Sequence, residues 1–151
     1  MKISDVMSRK VVSVSPEESF SGAVRKLSSK NITGMPVVSG GKVVGVVTQS
    51  DIIRSLDVFS RINDASDAAA VRKLLKDADV SKDAVRKVRN RKVKDIMSRK
   101  IVTVDGGKSI YEAAKLINRN SIDRLPVVSG GRLVGIITKK DLIRAIMKIS
   151  S

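Results

Sequence analysis

The chain of 151 residues has no cysteine, no histidine and no tryptophan, and aromatic residues make up 2% of it. Without thiols there is no disulfide framework and no thiolate nucleophile. Without imidazole the commonest general base and the common zinc ligand sets are missing, so no metal site is expected and most hydrolytic and transfer chemistry is excluded. No Gly-x-Ser-x-Gly elbow or Walker-type phosphate loop is present either, and an enzyme is not expected. The few aromatics offer no platform for stacking bases, because Phe20 and Phe59 fall at core or interface positions and Tyr111 begins a helix. Long apolar runs are lacking as well. The Val, Ile and Leu stretches are far shorter than the roughly 20 residues that span a bilayer, and Met1-Lys2-Ile3-Ser4-Asp5 is no apolar h-region, so a cytoplasmic location without a membrane partner is expected.

What is abundant is positive charge: 30 Lys plus Arg against 15 Asp plus Glu, a net charge of +15. The hydrophobic share of 42% supplies an ordinary core without metals or disulfides.

The chain repeats itself. Ile3–Leu56 aligns with Val93–Ile146 without a gap, and about 22 of the roughly 54 pairs are identical. Asp5-Val6-Met7-Ser8-Arg9-Lys10 returns as Asp95-Ile96-Met97-Ser98-Arg99-Lys100, and Pro36-Val37-Val38-Ser39-Gly40-Gly41 as Pro126-Val127-Val128-Ser129-Gly130-Gly131. Gly45-x-x-Thr48-x-x-Asp51 returns as Gly135-x-x-Thr138-x-x-Asp141.

Each copy reads as β-α-β-β-α. Val11-Val12-Ser13-Val14 is a short β-branched run, and Ser15-Pro16-Glu17-Glu18 predicts a capping box with proline in the first helical position. Phe20, Ala23, Val24 and Leu27 then recur at helical spacing and face one core. Two apolar strands flank Gly40-Gly41, a hairpin turn that needs positive φ. Thr48 opens a second helix that is expected to carry Ile52, Ile53 and Leu56 inward. This predicts an α/β protein whose copies, 1–56 and 93–151, pack about a pseudo-two-fold axis.

Residues 57–92 contain neither proline nor glycine and read as a helical connector. Val71, Leu74, Leu75 and Ala78 follow amphipathic spacing, and Ser81 could cap a second helix bearing Val85 and Val88. Lys82, Arg86, Lys87, Arg89, Arg91, Lys92 and Lys94 form a basic cluster.

Each copy resembles a CBS domain, on the Met-Ser-Arg-Lys segment, the Pro-Val-Val strand and the Gly-x-x-Thr-x-x-Asp motif, and the two together resemble a CBS pair, or Bateman module. The resemblance implies a stand-alone regulatory module that binds adenosine-containing ligands between its copies and associates as a homodimer. AMP, ADP or ATP is the implied regulatory ligand, with no catalytic cofactor. Physical chemistry makes the motif a plausible site, since a threonine at a helix start presents its hydroxyl beside unpaired backbone N–H groups. An aspartate three residues on can accept hydrogen bonds from ribose hydroxyls, as acidic residues do in dinucleotide sites. The same Thr-x-x-Asp also fits a capping box, and the two roles are compatible.

The copies differ where phosphate would sit. Copy two has Arg124 where copy one has Gly34, and Lys139 and Lys140 where copy one has Gln49 and Ser50. By resemblance Arg124 contacts phosphate, and a guanidinium can do so bidentately. The expected primary site comprises Arg124, Thr138, Lys139 and Asp141, with Ile122 flanking adenine, and the resemblance implies that copy one adds its Lys10–Val11 backbone to that cleft. A secondary site without an arginine would use Thr48, Asp51 and Ile32 with the Lys100–Ile101 backbone, and either bind more weakly or take a ligand with less phosphate, such as adenosine or S-adenosylmethionine. Binding in either cleft would alter a surface read by an unknown regulated protein. The competing reading is a docking module in which Arg86, Lys87, Arg89, Arg91 and Lys92 engage nucleic acid, or an acidic protein, through salt-dependent contacts.

Overall fold

A computed structural model describes residues 1–56, 82 and 85–151. Copy one contributes helix α1 (Ile3–Val6), helix α2 (Phe20–Ser29), strands β1 (Gly34–Ser39) and β2 (Lys42–Thr48), and helix α3 (Gln49–Ser55). Copy two repeats the order with α4 (Val93–Ile96), β3 (Val104–Asp105), α5 (Ile110–Asn120), β4 (Arg124–Ser129), β5 (Arg132–Thr138) and α6 (Lys139–Ser150).

The hairpins form as their sequence demands. Gly40 and Gly41 turn at φ of +58° and +79°, and Gly130 and Gly131 repeat this at +57° and +79°. A side chain at such φ is strained, which selects glycine there. Both hairpins are antiparallel, and each shifts register at the same place, between Val37 and Val38 and between Val127 and Val128. The first strand of each copy is short. β3 pairs in parallel with β4, whereas copy one keeps a single parallel bridge from Val14 to Val37.

Three expectations are corrected. The Ser15 capping box does not start a helix: Glu18 accepts from the Ser15 N–H at 3.1 Å, but α2 begins at Phe20 with Ser19 as its N-cap. The start is displaced because the chain ahead of α2 is stitched to copy two, with Val93 donating to the Glu18 carbonyl at 2.8 Å and Phe20 to that of Arg91 at 2.7 Å. Ile53 does not face inward. It is 56% exposed, because the short α3 turns Asp51 toward the interior. In the connector Val88 is buried but Val85, also helical, is 45% exposed. Phe59, Val71, Leu74, Leu75, Ala78 and Ser81 lie outside the described residues.

The two cores are built crosswise. Ile3 is fully buried in the core of copy two, with Leu125, Val127, Ile137 and Leu142, while Val93 is fully buried in the core of copy one, with Met35, Val37 and Val47. Each short N-terminal helix therefore belongs to the opposite copy. Reciprocal backbone bonds lock the exchange: Ser8 and Ile136 donate to each other at 2.9 Å, and Ser98 and Val46 do the same. The two-fold repeat in sequence thus becomes a two-fold exchange in space, and the crossing arms roof the clefts between the copies.

Candidate functional site

Two clefts lie between the copies, each built from the helix-opening motif of one and the crossing arm of the other. One, of about 490 Å³, sets Thr138, Lys139 and Lys140 against Ser8, Lys10 and Val12. The other, of about 480 Å³, sets Thr48, Asp51 and Arg54 against Ser98, Lys100 and Val102. Clefts of this size suit small ligands.

The arms reach the clefts because Gly45 and Gly135 carry no side chain. A Cβ on Gly45 would stand 2.6 Å from Met97 Sδ and 2.9 Å from the Ser98 carbonyl. On Gly135 it would stand 2.5 Å from Met7 Sδ and 2.9 Å from the Ser8 carbonyl. The glycine of one motif and the methionine of the other are thus one packing contact, repeated about the pseudo-axis.

Thr48 and Thr138 are the N-caps of α3 and α6. Thr48 Oγ1 accepts from the Asp51 N–H at 3.4 Å, while Asp51 Oδ2 accepts from the Thr48 N–H at 2.8 Å and from its hydroxyl at 3.0 Å. Thr138 and Asp141 repeat this at 3.3, 2.8 and 2.9 Å. The second oxygen of each carboxylate faces an arginine one turn on: Arg54 at 3.2 Å from Asp51 and Arg144 at 3.6 Å from Asp141. Capping and any contact to a sugar therefore draw on the same carboxylate atoms.

The isoleucines are placed the other way round from expectation. Ile32 lines the Thr138 cleft with Lys10, and Ile122 lines the Thr48 cleft with Lys100. Val11 and Ile101 are half-buried between the lining residues of their arms, and Asp141 stands behind Thr138 as its capping partner. Lys139 is tied to Asp123, with a nitrogen–oxygen distance of 3.0 Å.

Arg124 departs most from the sequence reading. It belongs to β4 opposite Thr138 in the register, yet its guanidinium crosses to copy one, donates to the Thr33 hydroxyl and packs over Gly34. Gly34 is the equivalent position in the other copy, so the arginine fills the space its counterpart leaves. Arg124 therefore lines both clefts, together with Thr33 and Asp123. The Thr48 cleft does not lack an arginine, as expected from sequence: it has Arg54 and Arg124. Burial pulls the Arg124 guanidinium below its ordinary pKa, and the Asp123 charge opposes this.

The basic cluster is partly spent within the protein. Lys92 and Lys94 both bind Glu17, at 2.6 and 3.2 Å, and Arg91 donates to the Asp95 carbonyl at 3.5 Å. Those pairs hold the Glu17 carboxyl below its usual range, first through the hydrogen bond from Lys92. Arg86, Lys87 and Arg89 have exposed side chains. Among the described residues no group of three or more acidic side chains could hold a metal ion, and no helix is long and apolar enough to cross a membrane.

The CBS domain family matches twice, over residues 3–58 and 93–148. The Methanocaldococcus jannaschii protein MJ1426 is 32% identical over 97% of this chain and 92% of its own length. An inosine-5'-monophosphate dehydrogenase from Korarchaeum cryptofilum is 35% identical over 89% of the chain, which spans 22% of that enzyme; the chain spans less than half of several other curated relatives. The crystal structure of Arabidopsis thaliana CBSX2 in complex with AMP superposes with a TM-score of 0.74 at 28% identity, covering 99% of this chain and 98% of that one.

Proposed function

The chain belongs to the CBS-domain family as a tandem pair, a regulatory rather than a catalytic module, and from that premise we propose that it senses adenine nucleotides in its two inter-copy clefts. The observation that carries the reading is the pairing of each Thr-x-x-Asp motif with the opposite copy's arm around a cleft of about 480–490 Å³. A relative with the same fold, CBSX2, has been solved with AMP bound, which supports adenine nucleotides as the ligand class. Adenine would lie along the Ser8–Val12 or Ser98–Val102 arm, against Ile32 or Ile122. Phosphate would meet Arg124 with the lysines of the motif. A ligand bridging motif and arm touches both copies, so it favours one relative arrangement over another.

That change of arrangement is the signal, and a separate protein would read it. Association as a homodimer is part of the proposal, supported by the exposed apolar side chains on α3 and α6: Ile53 at 56%, Ile143 at 58%, Ile146 at 52% and Met147 at 66%. Sedimentation of a stable monomer at micromolar concentration would remove that part alone.

Isothermal titration with AMP, ATP and S-adenosylmethionine tests the sensor, with a duplex DNA and a short RNA as controls at two salt concentrations. Micromolar binding of an adenine nucleotide, weakened by Arg124→Ala and by Asp141→Ala, supports it. Silence toward all three small ligands, with salt-sensitive nucleic-acid binding lost on neutralising Arg86, Lys87, Arg89 and Arg91, would replace it with the docking reading.

A further inference from the structure

We propose that Arg124 is a single phosphate-binding group shared by the two clefts, so that the pair holds one nucleotide and one uncharged nucleoside in preference to two nucleotides. The inference rests on the adenine-nucleotide reading above and adds to it which ligand class each cleft takes.

The two clefts meet at Thr33, Asp123 and Arg124, which line both. A strictly two-fold module would carry two arginines there or none. This chain has one, because the equivalent position is Gly34, and the space over that glycine is where the guanidinium lies. Its hydrogen bond to Thr33 holds it across the pseudo-axis. A phosphate monoester carries about −1.5 to −2 charge at pH 7, which one guanidinium does not offset twice. A nucleotide that draws Arg124 into its own cleft leaves the neighbouring cleft without that cation and adds a negative charge beside it.

The remaining charges decide which cleft wins. Around Thr138 stand Lys10, Lys139 and Lys140; Lys139 is already paired with Asp123 at 3.0 Å, so Lys10 and Lys140 supply the surplus charge. Around Thr48 stand Lys100 and Arg54, with Asp51 and Asp123 both lining the cleft. Arg54 is already committed to Asp51 at 3.2 Å. The Thr138 cleft is therefore the nucleotide cleft, and the Thr48 cleft accepts the nucleoside, whose binding needs no cation.

Calorimetry on the full chain with AMP and adenosine tests this. AMP is expected to bind with two unequal affinities, the second weaker by about fivefold or more. With one equivalent of AMP bound, adenosine fills the remaining cleft with the affinity it shows for that cleft in the free protein. In Arg124→Gln the tighter AMP affinity falls and the gap between the two narrows, while the weaker affinity, already reached without that cation, and adenosine are little affected. Should Arg124→Gln fail to fold, Thr33→Val serves instead: it releases the guanidinium toward the more basic cleft and widens the gap between the two AMP affinities. Two equal AMP sites in the unmodified chain overturn the proposal, as does an unchanged gap in Arg124→Gln or in Thr33→Val. These results leave the sensor reading standing, whereas a chain that binds neither AMP nor adenosine overturns both.

Discussion

Met7 lies directly over Gly135, its Sδ 2.5 Å from where a Cβ on that glycine would stand, and Met97 repeats the contact over Gly45 at 2.6 Å. Because the Ser8 carbonyl is also only 2.9 Å from the same point, the main chain of the arm would have to shift, as well as a flexible thioether. Gly135→Ala is expected to destabilise the fold by about 1–3 kcal/mol, the usual range for an overpacked contact. Urea denaturation that finds the variant as stable as the parent would show that the arm is not held at this distance.

The exchanged arms predict that a substitution in one copy's sequence damages the other copy's core. Ile3→Ala removes a fully buried side chain from the cluster around Leu125 and Ile137, and is expected to cost about 2–5 kcal/mol. Amide hydrogen exchange should show the loss of protection in β4 and β5 at least as strongly as in β1 and β2. Loss confined to the hairpin of copy one would contradict the crossing.

Asp51 and Asp141 share one capping geometry, so removing either by alanine is expected to cost about 1 kcal/mol of stability. Their effects on ligand should nonetheless differ. The more basic surroundings of Thr138 predict that Asp141→Ala removes most AMP affinity and that Asp51→Ala leaves most of it. Calorimetry giving the reverse order would assign the nucleotide to the other cleft.

Glu17 ties copy one to the start of copy two through Lys92 and Lys94, and its carboxyl is held below the usual range by those lysines. A depressed folded pKa means the pair's contribution is fully present above the unfolded value of about 4.3 and is lost as pH falls through the lowered folded value. Glu112 behaves alike, its carboxyl lowered first by the backbone N–H of Ser109. Melting temperature should therefore fall as pH drops below about 4.3, and the fall should be shallower in Glu17→Gln. An identical acid limb in the variant would remove Glu17 from the account. Since the pair is exposed, added salt should shrink the difference.

Much of the fold was legible before any tertiary contact was known. The Gly-Gly turns, the Thr48 and Thr138 caps and the stripe of Phe20, Ala23 and Leu27 follow from φ preferences, short-range hydrogen bonding and helical periodicity, all of which act within a few residues. Ser15 misled because its segment answers to Arg91 at the end of the connector and Val93 at the start of the other copy. Local capping chemistry carries no signal of such a distant partner.

The repeat itself was fully determined by sequence, and with it the expectation of two related clefts. Which residues share a cleft was not. Ile32 is near Thr48 in the chain but lines the cleft of Thr138, and Ile122 lines that of Thr48. When two copies carry the same motifs, pairing within a copy and pairing between copies satisfy the same pattern, and only packing separates them. The reach of Arg124 is of the same kind: sequence shows an arginine facing a glycine across the alignment, but the guanidinium crosses the pseudo-axis because the space over Gly34 is empty and Thr33 offers an acceptor there.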